Sequence, residues 1–151
     1  MNGAAAAPRR ALHVFATFGA GGPQVRMTQI AARMGRAWRH TVIAHDGDTA
    51  AAAQMPAGID FELLPTPPRR SFLAGMRAFS ALIEQQRPDA LLTYNWGAIE
   101  AVAAARRLGF AAHVHHEDGF GPAEQHRRMW RRNWLRRAVL GRAAAVIVPS
   151  T

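Results

Sequence analysis

Hydrophobic positions along this chain gather into short runs, separated by stretches in which they recur every three or four residues. The runs are ALHVFATF (11–18), HTVIAH (40–45), IDFELL (59–64), DALLTY (89–94), AAHVHH (111–116) and AAAVIVP (143–149). Apolar runs this short, bounded by glycine and proline, predict buried strands. Between the first two, residues 23–36 carry Val25, Ile30 and Met34 among polar residues, with Pro23 in the first turn, which predicts a helix. Residues 71–86 place Phe72, Met76, Phe79, Leu82 and Ile83 at helical spacing, and Pro88 stops that element. An alanine-rich helix follows over 97–108, closed by Gly109, and a long arginine-rich helix fills about 122–141.

Strands alternating with helices predict βαβ units and hence an α/β class: a Rossmann-like, mostly parallel sheet of about six strands with helices on both faces. Right-handed crossovers place all strand C-termini on one edge, where such folds bind ligands. The loops expected there are GAGG (19–22), HDGD (45–48), NWG (95–97) and HEDG (116–119). The lead-in MNGAAAAPRR (1–10) lacks the apolar core of a signal peptide and reads as disordered, leaving 11–151 as the domain. Pro149-Ser150-Thr151 follows a strand where this fold normally continues, so the domain is expected to be half of a larger unit.

Composition narrows the chemistry. The chain has 151 residues, 49% hydrophobic, enough for one domain with a true core. All 19 basic residues are arginines against 10 acidic ones, a formal charge of +9. The absence of lysine excludes a P-loop lysine and Schiff-base chemistry. The absence of cysteine excludes disulfides, thiolate zinc sites and a cysteine nucleophile. No apolar run approaches the roughly 20 residues that span a bilayer, so a cytoplasmic protein is expected. The arginine excess has two readings: codon usage in a GC-rich genome, or a polyanionic or membrane-surface partner.

Four places carry candidate chemistry. The first loop tests against the dinucleotide fingerprint G-x-G-x-x-G: Gly19 and Gly21 fit, but the third position holds Gln24. Asp46, ending the second strand, stands where a ribose-binding carboxylate would lie, so a nucleotide- or NAD-binding module is the alternative reading. The favoured reading is a glycine turn, with Gly19, Gly21 and Gly22, at a helix N-terminus that lets a sugar or a diphosphate approach the backbone N–H groups. HVHHEDG (113–119) aligns His113 and His115 on one strand face, then presents His116, Glu117 and Asp118. It departs from the H-x-H-x-D-H metal-ligand run at two positions, so no metal is expected. After the fourth strand, Asn95 either bonds a substrate hydroxyl or caps the next helix, and Trp96 either stacks on a sugar or fills the layer beneath the helix. In HRRMWRRNWLRR (126–137), Arg127, Arg128 and Arg131 fall on one half of a helical wheel with Trp130 and Trp134 mainly on the other, a pattern suited to anionic lipid. No nucleic-acid recognition motif accompanies it. Ser71, Ser80 and Ser150 lie in no G-x-S-x-G elbow.

HVFATFGAGGPQVRMTQIAARM, RPDALLTYNWGAIEAVAAARRLG, HVHHEDGFGPAE and RAAAVIVPST, in this order and spacing, resemble the N-terminal domain of glycosyltransferase family 4, the retaining enzymes of GT-B architecture. The resemblance runs from Leu12 to Thr151. It implies the acceptor-side half of a two-domain enzyme that needs no metal or bound cofactor and uses a UDP- or GDP-linked sugar as co-substrate. It implies a bacterial enzyme of polysaccharide synthesis that transfers the sugar to a glycan or lipid-linked acceptor. By position, Gly19, Gly21, Gly22 and Gln24 would lie at the donor phosphates, Asn95 and Trp96 at the acceptor, and His116, Glu117 and Asp118 at the transferred sugar. Arg127, Arg128, Trp130, Arg131 and Trp134 would dock on the inner face of the cell membrane. The family's paired-glutamate donor half is expected in a further domain or a separate subunit, and the chain by itself is expected to have little activity.

Overall fold

The computed structural model describes residues 6–68, 70–118, 134, 137, 138, 140, 141 and 143–148. Six strands form one sheet: β1 (Arg9–Phe15), β2 (Trp38–Ala44), β3 (Asp60–Leu64), β4 (Ala90–Tyr94), β5 (His113–His116) and β6 (Ala145–Ile147). Every pairing is parallel and the order is β3-β2-β1-β4-β5-β6. The α/β class and Rossmann-like sheet expected from the sequence are therefore present. The order reverses between β1 and β4, which makes the C-terminal ends of those two strands the switch point.

Helices α1 (Gly22–Met34), α2 (Phe72–Gln86) and α3 (Ile99–Leu108) supply the crossovers. Strand alternation divides the core in two. Leu12, Val14, Ile43 and Leu91 point to one face and pack with Phe79 and Ile83 of α2 and Ala101, Ala104 and Ala105 of α3. Phe15, Val42, Ala44 and Tyr94 point to the other, where they meet Met27 of α1, Phe18 and Ala51. Short alanines let α3 lie close to both α2 and the sheet, which is why its buried positions run without a break from Ile99 to Ala105.

Three details differ from the hydrophobic pattern. The first strand starts at Arg9, inside the stretch read as a disordered lead-in, because Arg9 and Arg10 pair with Trp38 and Arg39. It ends at Phe15, and Phe18 reaches the core from the loop instead. Helix α1 buries Gln24, Met27, Thr28 and Ala31, while Val25 remains 39% exposed. Gln24 and Thr28 can be buried because each spends its polar group locally: the Gln24 amide donates to Thr17 O (2.7 Å) and the Thr28 hydroxyl to Val25 O (2.8 Å). Most of the predicted arginine-rich helix, with Arg127, Arg128, Trp130 and Arg131, lies outside the described residues. Trp134 is helical and 67% exposed.

Candidate functional site

At the switch point the loops after β1 and β4 touch. A Cβ on Gly97 would sit 2.1 Å from Ala16 Cβ and 2.9 Å from Ala16 Cα, so only glycine admits this approach. The β1 loop is bound equally tightly to the β2 loop: Phe18 N–H donates to Asp48 O (3.0 Å) and Asp46 N–H to Ala16 O (3.0 Å). Gly19 lies against the Asp48 carboxylate, 2.6 Å from where its Cβ would be. Asp46 folds back to accept the Asp48 amide (2.9 Å), an Asx turn that occupies one oxygen of the carboxylate singled out for a ribose.

Gly21 is the N-cap of α1, in extended backbone, and Pro23 lies in the first turn. Among the described residues no side chain caps this helix and no acid stands in its first turn. A Cβ at Gly21 would press on Gln24 Oε1 (2.7 Å), whereas at Gly22 nothing lies within 4 Å. The helix start is therefore open on the Gly22 side, with the positive end of its dipole available to an anion.

Beside it, β5 delivers the His116-Glu117-Asp118 loop. Asn95, with φ +56°, ends β4; its amide donates to His116 O (2.8 Å) and its side-chain Oδ1 accepts the Asp118 amide (2.7 Å). Asn95 is the N-cap residue of the short 3-10 turn Trp96–Ala98, whose Ala98 amide donates to its carbonyl (3.2 Å), but its side chain makes no capping bond; that oxygen instead splices the β4 and β5 loops together. The Asp118 carboxylate is ion-paired with Arg26 of α1, with 10% of the Asp118 side chain exposed. This contact joins the glycine-loop helix to the β5 loop. The other oxygen, Asp118 Oδ2, is buried without a hydrogen-bond partner among the described residues. Trp96 is half-buried against Ile99, Val102 and Ala103, as a layer filler would be.

Under α1 runs a buried aromatic row. His40 Nδ1 meets His13 Nε2 (3.1 Å), His13 Nδ1 meets the Tyr94 hydroxyl (3.1 Å), and Tyr94 stacks on His116 at 4.6 Å between centroids. Burial pushes the pKa of His13 down, and His40 and His116 push it further. Burial also lowers His40 and His116, opposed by Asp60 at the first and Asp118 at the second. Tyr94 is raised by burial and by Asp118. Burial outweighs these counter-charges, and the groups are neutral near pH 7. Neither ring nitrogen of His116 has a partner among the described residues. On the opposite face His113 and His115 share Thr93, and burial followed by the neighbouring His115 lowers His113 to about 4. Among the described residues no group of three or more His, Asp or Glu side chains is arranged to hold a metal.

Sequence reasoning named the glycine loop, Asn95 and the β5 loop, and the structure brings all three together at the switch point. It missed Arg26, whose partner is far away in sequence, and Gly97, whose crowding depends on another strand. Residues 21–151 match the family model described as a glycosyl transferase 4-like domain. The chain belongs to this glycosyltransferase family. No curated protein sequence matches it. Among solved structures it is similar to MurG of Acinetobacter baumannii, at 15% identity and a TM-score of 0.60, covering 95% of this chain and 44% of that one. It is also similar to a putative UDP-N-acetylglucosamine 2-epimerase of Listeria monocytogenes, at 14% identity and a TM-score of 0.63, covering 96% of this chain and 40% of that one. UDP-N-acetylglucosamine 2-epimerase of Rickettsia bellii gives 13% identity and 0.55, over 95% of this chain and 39% of that one. These likenesses establish the shared fold, and the chain spans less than half the length of each structure. No helix among the described residues is long and apolar enough to cross a membrane.

Proposed function

We propose that this glycosyltransferase domain is the acceptor-side half of a retaining, nucleotide-sugar-dependent enzyme that acts on a glycan or lipid-linked acceptor. The observation that carries the reading is the convergence at the switch point: an uncapped α1 start open at Gly22, beside the carboxylates Glu117 and Asp118 at the end of β5. The first can hold a leaving diphosphate on backbone N–H groups and the helix dipole. The second can take the acceptor's proton or stabilise positive charge at the anomeric carbon. In the transfer, the acceptor O–H breaks, its oxygen bonds the anomeric carbon, and the sugar–phosphate C–O bond breaks with its electron pair leaving on the diphosphate. Both acids have partners, Asp118 in Arg26 and Glu117 in His115, but the Glu117 side chain is the more exposed, 17% against 10%, so Glu117 is assigned the acceptor proton and Asp118 the shaping of the loop. We assign His116, neutral and stacked on Tyr94, a further polar contact to the sugar; its ring nitrogens, without a partner among the described residues, support this.

On this reading the donor is held mainly by a second domain, and this chain alone binds nucleotides weakly and transfers little sugar. Titrating it with NAD, UDP and GDP, and with their sugar conjugates, tests the point. Tight NAD binding by this chain alone would refute the reading in favour of a dinucleotide module built on the glycine loop and Asp46. Absence of sugar transfer by the protein carrying the donor-binding domain would refute it as well. Membrane docking through Arg127, Arg128, Trp130, Arg131 and Trp134 belongs to the same proposal; the exposed indole of Trp134 supports it. Binding to vesicles containing anionic lipid that weakens after Trp134→Ala and with rising salt is the expected result.

A further inference from the structure

The α3 side of the sheet carries a polar chain that the transfer step does not itself use. Thr93, His113 and His115 are 0%, 2% and 1% exposed. Parallel register sets Thr93 beside His115, and Leu91 beside His113. Thr93 Oγ1 consequently lies between two imidazoles, 2.9 Å from His113 Nε2 and 2.8 Å from His115 Nδ1. His115 Nε2 in turn lies 3.3 Å from Glu117 Oε2.

The proton positions follow from which atoms can donate. An ionised carboxylate only accepts, so His115 Nε2 carries the hydrogen that points at Glu117. With that one N–H on the ring, His115 Nδ1 is an acceptor, and its donor is the Thr93 hydroxyl. Having given its only proton, that hydroxyl accepts from His113 Nε2–H. In this tautomer three donors point one way, from His113 through Thr93 and His115 to Glu117. His113, lowered to about 4 by burial, is neutral near pH 7 and suits its place at the head of the chain.

We propose that His115 is a positioning residue for Glu117, fixed in its Nε2–H tautomer by Thr93 and His113, so that the carboxylate is aimed from inside the sheet. The proposal rests on the reading that Glu117 takes the acceptor's proton. The neighbouring carboxylate of Asp118 is held by Arg26 of α1, from the opposite side of the sheet, while Asn95 holds the Asp118 backbone amide. Adjacent acids on one loop are thus oriented by independent sets of partners. Burying two imidazoles and a hydroxyl is unfavourable unless they satisfy one another, and three apolar side chains would fill a sheet layer as well. The polar set does one thing an apolar set cannot: it presents a directed N–H to Glu117.

Long-range 1H–15N spectra of the 15N-labelled chain at neutral pH read the tautomers directly. The expected result is an Nε2–H tautomer for both His113 and His115, with the His115 Nδ1 resonance of a hydrogen-bonded acceptor. Thr93→Ser should preserve that signature, and Thr93→Val should move His115 Nδ1 to the position of a bare imine nitrogen. A doubly protonated or Nδ1–H His115, or an Nδ1 resonance unmoved by Thr93→Val, overturns the proposal. In the protein carrying the donor-binding domain, His115→Phe should lower kcat by at least about tenfold with donor KM within about twofold. His115→Gln, which can still offer an N–H to Glu117, should recover most of the loss. An unchanged kcat in His115→Phe overturns the positioning role. If the wild-type protein transfers no sugar while the spectra are as expected, the transferase reading falls and the hydrogen-bond chain stands.

Discussion

Replacing Gly97 by alanine puts a methyl group where the β1 and β4 loops meet. The new Cβ would lie 2.1 Å from Ala16 Cβ and 2.9 Å from Ala16 Cα. Unstrained carbons stay about 3.5 Å apart or more, so the two loops must part by about 1.4 Å. Neither neighbour can yield by rotating, because one is a backbone atom and the other a methyl fixed to it. Overpacking of this kind costs about 2–3 kcal/mol, the upper part of the range for added methylenes in tight cores. For a domain of this size that corresponds to roughly 5–10 °C in Tm. Thermal unfolding followed by circular dichroism gives the number, and Gly22→Ala is the control. Nothing lies within 4 Å of a Cβ at Gly22, so that variant should be neutral or slightly stabilised. Ala16→Gly combined with Gly97→Ala should recover part of the loss, because it removes the nearer of the two overlaps. Equal Tm values for Gly97→Ala and Gly22→Ala would refute the steric argument, and with it the claim that Gly97 sets the shape of the switch point.

Three further outcomes are expected. Arg87, the C-cap of α2, sits at φ +46° and ψ +55°, a left-handed conformation that favours glycine, so Arg87→Gly should raise stability by about 0.5–1 kcal/mol in urea titrations. His13, His40, His113 and His116 all have lowered pKa values, so below about pH 6.5 the unfolded chain binds protons that the native state refuses. Their contribution is fully present above the unfolded pKa and is lost as pH falls, by up to about 1.4 kcal/mol per pH unit for each histidine. For His113 the loss continues to about pH 4, and unfolding free energies measured from pH 7 down to 4 check the slope. Arg26→Gln removes the charge facing the nearly buried Asp118, and hydrogen exchange at residues 116–118 should accelerate about tenfold while β1 and β2 amides stay protected.

The alternation of apolar runs with helical periodicity determined the class, the element order and the loops that share one sheet edge. These are local properties: a strand buried on both faces is apolar over most of its length or pairs its polar groups internally, and glycine or proline commonly ends it. Chain order alone could not say that the Asn95 side chain is bonded to the Asp118 amide, which makes it a splice between loops and leaves the turn that follows without a side-chain cap. Nor could periodicity choose the buried face of α1, because Gln24 and Thr28 become core residues only through bonds to Thr17 and Val25.

The same division holds at the candidate site. Glu117 and Asp118 were visible in sequence as two adjacent acids, with nothing to separate their roles. Tertiary structure separated them, bringing Arg26 to one and His115 to the other from opposite faces of the sheet. His113 and His115 could be placed on one face by counting, since strands alternate with a period of two. That Thr93 stands between them depends on the register of β4 against β5, which no single strand encodes. Sequence fixes what each residue can donate, accept or bury. Only the packing of distant strands and helices fixes which partner it meets, because hydrogen bonds and ion pairs act over a few ångströms, while their partners here lie up to 92 positions apart along the chain.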